Sequence, residues 1–296
     1  MRSQFPRPPY RPFADGPHRL AMGLMRVAEA DWLELDAGLA TALAAKRALL
    51  AERHGEVFCA EPEAESPAAE LLALMAAHLP RHHPALFHRE GNHLLNLATN
   101  EAWDLAAPDL HPLELAGRLV VEDLCLLEAR AGIYVLTGAS LCSPARWRLA
   151  EKMGQPLTAI HAPVPGYAES LGAPVERFFA TLKPGRLVGR LNWGIADNPA
   201  PFQPIGRVTA GDITSANAGA RLWLRVERQI LRRLERSGAV VFSIRTHITR
   251  LDRAIASPAE AQALAAAIRA MPRAMQDYKQ IAPVAEPLLG WLSRFG

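Results

Sequence analysis

One histidine in this chain is aimed by a rigid backbone. His161 lies in the run Gln155-Pro156-Leu157-Thr158-Ala159-Ile160-His161-Ala162-Pro163-Val164-Pro165. Each proline fixes its own φ and turns the residue before it toward extended geometry, which leaves the imidazole a single direction. A metal ligand needs that constraint, because the metal dictates where the ring nitrogen must sit. The same surroundings suit a core histidine bonded to a carbonyl, and on residue type alone that is the first reading.

A second chemical feature is the segment Arg221–Arg236, with six arginines and two glutamates. Wound as a helix, it puts Arg221, Arg225, Arg228 and Arg232 on one face, a basic surface for an acidic partner. Laid out as a strand, it sends Leu222, Leu224 and Val226 to one side and Trp223, Arg225 and Glu227 to the other. We read a strand to about Val226 that turns before Gly238, with arginines free to donate bidentate bonds to carboxylates, including a cofactor's propionates. Glu227 is the strongest carboxylate candidate, since neighbouring arginines keep it ionised when buried. Asn192-Trp193 sets an amide and an indole on opposite faces of another predicted strand. Asn192 could bond a ligand and Trp193 could wall an aromatic cofactor, although ordinary sheet packing accounts for both. The adjacent acids Glu122 and Asp123 point apart on a strand and make a weak acid–base pair. His78, His82, His83, His88 and His93 read as a solvated helix end and loop, because Pro80 and Pro84 break any helix that would group them.

Other chemistry is excluded by what is missing. The sequence has no G-x-G-x-x-G, no phosphate loop and no G-x-S-x-G elbow. Redox chemistry here would therefore draw electrons from another protein. Cys59, Cys125 and Cys142 form no C-x-x-C pair, which argues against an iron–sulfur cluster, a zinc ribbon and covalently attached haem. A net charge of +3 over 296 residues does not announce nucleic acid. The apolar runs are too short for a membrane span, and the first residues, Met1 to Pro6, lack a secretory apolar stretch, so a cytoplasmic location is expected.

The elements that must position these residues follow from pattern. Residues 1–27, rich in proline and arginine, read as an extended arm. A helix follows Asp36, carrying Leu39, Leu43 and Leu50 and stopping near His54-Gly55. A second starts at Ser66-Pro67 and ends before Pro80, and Pro112 opens a third. Leu124–Leu127 and Ile133–Thr137 read as a hairpin across Arg130-Ala131-Gly132. Helical patterns around 146–154 and 175–182 precede strands at Leu187–Ile195, Leu222–Val226 and Val240–Ile248, the last with clear period-two alternation. Ser257-Pro258-Ala259-Glu260 is a capping box, and Pro272 ends the helix that it begins. The expected fold is α+β, an antiparallel sheet between N- and C-terminal helices.

In order and spacing, a set of segments spread along the chain resembles one family. They are Asp31-Trp32-Leu33-Glu34-Leu35-Asp36, Glu122–Leu127, Trp147-Arg148-Leu149 with Glu151-Lys152, Ile160-His161 with Pro163-Val164-Pro165, Asn192-Trp193, Arg225–Gln229, Ile244-Arg245-Thr246, and Met271-Pro272 with Tyr278-Lys279. The family is that of the haem-dependent oxidative N-demethylase alpha-subunit-like proteins. The resemblance implies a PAS-like five-stranded antiparallel sheet over 121–250, within a single haem-binding domain spanning 1–296 whose arm and helices occupy 1–120 and 251–296. It implies non-covalent haem b, dioxygen activation, and oxidative demethylation of a small secondary amine such as dimethylamine to give formaldehyde. It implies a separate flavin and iron–sulfur reductase as electron donor, with no nucleic-acid or membrane partner. Carried onto this sequence, it makes His161 the iron ligand and sets Trp147 and Lys152 at the pocket rim. Asn192 and Trp193 become cofactor contacts, Arg228 and Arg245 hold propionates or bound oxygen, and Glu227 with Arg225 does the catalytic work on an alkylammonium. Two departures stand out. Ile230 replaces the expected Thr, and His247 replaces the expected Tyr and becomes a rival ligand. A haem sensor or carrier without turnover, and a cofactor-free interaction module using the arginine run, are the alternatives.

Overall fold

The computed structural model describes residues 9–14, 16 and 19–296; the start of the expected N-terminal arm, residues 1–8, lies outside them. Ten strands are found among the described residues: β1 (Met25–Val27), β2 (Phe58–Ala60), β3 (Phe87–Glu90), β4 (His93–Asn96), β5 (Glu101–Asp104), β6 (Asp123–Arg130), β7 (Ile133–Ser140), β8 (Leu187–Ala196), β9 (Trp223–Arg233) and β10 (Val240–Arg250). Seven build one sheet in the order β1-β8-β9-β10-β6-β7-β2, and β3-β4-β5 form a second, small one. Every neighbouring pair in the large sheet is antiparallel. The α+β expectation holds at this level. The sheet has seven strands where five were expected, because the three-residue segments β1 and β2 pair onto its edges.

Local chemistry accounts for the main elements. The β6–β7 hairpin closes through Ala131 (φ 50°) and Gly132 (φ 83°). Two left-handed residues in a row make the tight turn whose twist matches the flanking strands. The helix Leu39–Glu52 buries Leu39, Leu43 and Leu50, as their spacing predicts. The helix Pro258–Ala270 is capped by Ser257, whose Oγ accepts from the Glu260 N–H at 3.2 Å. The helix Glu65–His82, however, runs through Pro80. Placed in the last turn, that proline forfeits one backbone bond without breaking the helix. The predicted histidine loop is likewise ordered: His88 lies on β3, His93 opens β4, and His78 is buried. No helix among the described residues is long and apolar enough to cross a membrane.

The two faces of the large sheet differ. One packs on the segment Glu29–Asp36 and on Glu65–His82, within the main core of Trp32, Leu71, Met75, Val226, Ile230 and Val241. The other is covered by the connector of residues 141–186 between β7 and β8, through a smaller cluster of Leu127, Leu136, Leu149, Leu157, Phe179 and Leu231. Along β10 the alternation is visible in burial. Val241, Ser243 and Arg245 are buried, while Phe242, Ile244, Thr246 and Ile248, on the connector side, are only half-buried.

Candidate functional site

Antiparallel register assigns each side chain to a face, since residues directly opposite point the same way. Glu227 pairs with Thr246 and with Asn192, Gln229 with Ile244 and with Arg190, and Leu231 with Phe242 and with Val188. These residues therefore share the connector face. The connector covers its ends and leaves its middle half-open, so that the centre of a seven-stranded sheet carries Arg190, Asn192, Glu227, Gln229, Phe242, Ile244 and Thr246 without burying them fully. A Cβ placed on Gly194, opposite Arg225 on the same face, would meet nothing within 4 Å.

His161 stands at the end of the short helix Leu157–Ile160, on the connector. Its Nδ1 lies 2.8 Å from the Leu157 carbonyl oxygen. An oxygen acceptor there puts the proton on Nδ1 and leaves Nε2 with its lone pair bare. Tyr167 stacks on the ring, centroids 4.6 Å apart and planes within 11°. Desolvation pushes the imidazole pKa down, with Arg190 and Lys152 adding to the effect against the carbonyl bond. The ring is thus held neutral, the form that ligates metals. Lys152 donates to the Ile160 carbonyl at 2.9 Å and so braces the backbone beside the histidine. Trp147 packs in the apolar cluster beneath the connector.

Several buried polar atoms here lack partners among the described residues: Arg190 Nε, Thr246 Oγ1, Tyr167 Oη and Glu176 Oε1. Other unpartnered buried atoms lie elsewhere, among them Trp32 Nε1, His78 Nε2 and Arg245 Nε; what sets this group apart is that it stands beside a half-open face, where its hydrogen-bonding capacity is still to be met. Glu227, by contrast, is fixed. Asn192 Nδ2 and Gln229 Nε2 donate to its Oε2 at 3.2 and 3.0 Å, and Arg225 Nε lies 3.5 Å from Oε1. Lys279 donates to Asn192 Oδ1 at 3.0 Å and to the Trp193 carbonyl. Burial pushes its pKa down to about 8 against the attraction of Glu227. Three cations, Arg190, Arg225 and Lys279, thus face one carboxylate.

The structure brings His161, Trp147, Lys152, Asn192, Glu227 and Arg225 to this side. Arg225 turns its guanidinium onto the Ser143 and Pro201 carbonyls, tying down two loops. Trp193, Arg228 and Arg245 go elsewhere. Trp193 faces the other side, edge-on to Phe13. Arg228 donates to the carbonyls of Asp31 and Trp32, and Arg245 to Asp36 at 3.1 Å. Ile230 and His247 share that opposite face; His247 Nε2 sits 3.1 Å from Glu34, so neither departure touches the His161 side. The arginine run is a strand through Arg233, longer than predicted, and offers no solvated basic face over that length. Arg232 is buried against Glu29 and the Trp32 ring, and Arg233 is spent on Leu182, Phe179, Gly238 and Tyr134. Glu122 and Asp123 anchor loops: Glu122 accepts from the Glu34 N–H at 2.7 Å, and Asp123 from those of Cys142 and Ser143 at 2.7 and 2.9 Å.

Sequence reasoning missed Arg190 and Tyr167 as site residues, and used Gln229 and Lys279 only as parts of motifs. Period two on the predicted strand, counted back from Asn192, was the available signal for Arg190. A family model described as haem-dependent oxidative N-demethylase, alpha subunit-like, matches residues 23–289, which takes in both faces of the large sheet.

Proposed function

The chain belongs to the haem-dependent oxidative N-demethylase, alpha subunit-like family, and on that premise we propose that it is the haem-binding subunit of a monooxygenase that removes a methyl group from a small secondary amine such as dimethylamine. Haem b would lie non-covalently between the connector and the half-open sheet face. His161 is its iron ligand. One observation carries this reading: Nδ1 is spent on a carbonyl, leaving a neutral imidazole with Nε2 bare on the side of the sheet where Arg190 Nε and Thr246 Oγ1 lack partners among the described residues.

The residues present fit the group. An apolar macrocycle suits Val188, Leu231, Phe242 and Ile244. The orphaned Arg190 Nε is placed to donate to a propionate, and the excess of Arg190, Arg225 and Lys279 over Glu227 favours its negative charge. When bound, the haem would supply oxygen activation and the oxidising power for the N-methyl carbon, with electrons from a separate flavin and iron–sulfur reductase. The protein's own part is positional. Two amide donors fix Glu227 Oε2, so the carboxylate keeps its orientation while its remaining lone pairs accept from the alkylammonium N–H. Trp147, Ile160 and Phe178 exclude water from one side. The order of the five long strands supports a PAS-like core: numbered along the chain, they lie third, fourth, fifth, first, second.

The test is a haem titration of the purified apoprotein. A saturable Soret band at one haem per chain is expected, with His161→Ala shifting or abolishing it. Dimethylamine should perturb the ferric spectrum of the wild type and not of Glu227→Gln, and formaldehyde should appear once reductase is supplied. A wild-type chain that takes up no haem, or a band indifferent to His161, sinks the proposal.

A further inference from the structure

Outside the haem face, the loops 143–148 and 197–207 enclose a cleft of about 560 Å³, within the range of small-molecule sites. Its charge is unbalanced. Four arginines line it: Arg53, Arg146, Arg148 and Arg207. Two are matched within the cleft, Arg53 by Glu56 at 3.2 Å and Arg146 by Asp197 at 3.4 Å. The guanidinium groups of Arg148 and Arg207 make no ion pair within 4 Å among the described residues, Glu151 reaching only the Arg148 backbone N–H, so two guanidinium groups remain without a carboxylate in one concavity. Beside them stand Phe202 and Ile205, the latter 64% exposed. Phe202, with Arg53 over its ring, and Ile205 give the cleft an apolar side next to its arginines.

The walls are preformed. Arg146 is left-handed (φ 61°), an uncommon conformation for a residue with a Cβ. Its N–H donates to the Gln203 carbonyl at 2.6 Å, and the Gln203 N–H donates to Pro144 at 3.1 Å. The Gln203 side chain bonds the Asn198 carbonyl at 3.0 Å. From beneath, Arg225 of β9 holds one carbonyl of each loop, Ser143 and Pro201. A ligand would find both loops already set, and little ordering would be lost on binding.

We propose that this cleft binds a small organic molecule with at least two negative charges, phosphate or carboxylate, seated on Arg148 and Arg207 with its apolar part against Phe202 and Ile205. Isothermal titration of the protein with inorganic phosphate, inorganic pyrophosphate, citrate and phenyl phosphate, at about physiological ionic strength, tests it. Saturable one-to-one binding is expected, weakened at least tenfold in R148Q/R207Q. Preference for pyrophosphate over citrate assigns phosphate, and the reverse assigns carboxylate. Phenyl phosphate should bind several-fold tighter than inorganic phosphate, with the advantage lost in Ile205→Ser. Both arginines are exposed, so an unchanged melting temperature will certify that R148Q/R207Q is folded. No saturable binding of any probe, or binding undiminished in a folded R148Q/R207Q variant, overturns the proposal.

Discussion

Replacing Lys279 with methionine should change how stability depends on pH, and in a definite direction. Burial lowers the ammonium pKa from its ordinary 10.5 to about 8, so the folded protein disfavours the charged form. Between those values the unfolded chain binds more protons than the native one, and stability rises as pH climbs through that window. The cost of holding the charge is fully present below about pH 8. That displacement corresponds to about 3 kcal/mol at most; because the side chain is half-buried, not sealed from water, about 1–2 kcal/mol is expected. The absolute stability of Lys279→Met is a poor readout, since the change also strips hydrogen bonds from Asn192 Oδ1 and the Trp193 carbonyl. The difference between wild type and variant is a clean one, because groups common to both cancel. Urea unfolding of the two apoproteins at about pH 7 and about pH 10 should show the wild type gaining about 1–2 kcal/mol on the variant with the rise. A parallel pair of curves, or a gain by the variant, would refute the burial argument. Loss of the ammonium also frees the Asn192 amide that steadies Glu227, so the variant's response to dimethylamine should weaken even where haem uptake is normal.

Two further outcomes are expected. Glu29 is held near a pKa of about 2 by His78 and Arg232; a lowered carboxyl pKa gives stability that is present above about pH 4.5 and lost on acidification toward pH 2. With Glu29 two-fifths exposed, Glu29→Gln should cost about 1 kcal/mol at neutral pH and flatten the acid limb of the denaturation profile, and an acid limb identical to wild type would contradict this. Gly194→Leu should leave the melting temperature of the apoprotein nearly unchanged, since a Cβ there meets open space, while weakening haem uptake at least tenfold; uptake equal to wild type would mean that the cofactor lies elsewhere.

The readable parts of this fold were those with a local cause. Ala131-Gly132 announced a tight hairpin, and Val240 to Ile248 alternated strictly enough to fix a strand and its two faces. What escaped had distant causes. From sequence, strand β9 reads only to Val226 because arginines at 228, 232 and 233 look like surface until their partners are known, and those partners include Glu29 and the carbonyls of Asp31 and Trp32, some two hundred residues upstream. The edge strands β1 and β2 are three residues long and carry no period of their own. For the site, proline-bracketed His161 and the carboxylate of Glu227 were legible by type. Arg228 and Arg245 were legible as special but not as facing away from His161, because the strand's extent, and with it the face of each residue, was undecided. Arg190 was one lone charge among many until β9 paired beside it.

The clasp between the chain's beginning and its late strands has a consequence for biosynthesis. Arg228 and Arg232 hold Asp31, Trp32 and Glu29, and Arg245 holds Asp36. A nascent chain emerging from the ribosome exposes its aromatic and acidic opening segment long before the β9–β10 hairpin that seals it has been translated. Contacts so far apart in sequence form late and slowly. This polypeptide should therefore lean on chaperones for most of its translation, and deletions that reach Glu29 should yield insoluble product even though they leave every residue of the His161 face intact.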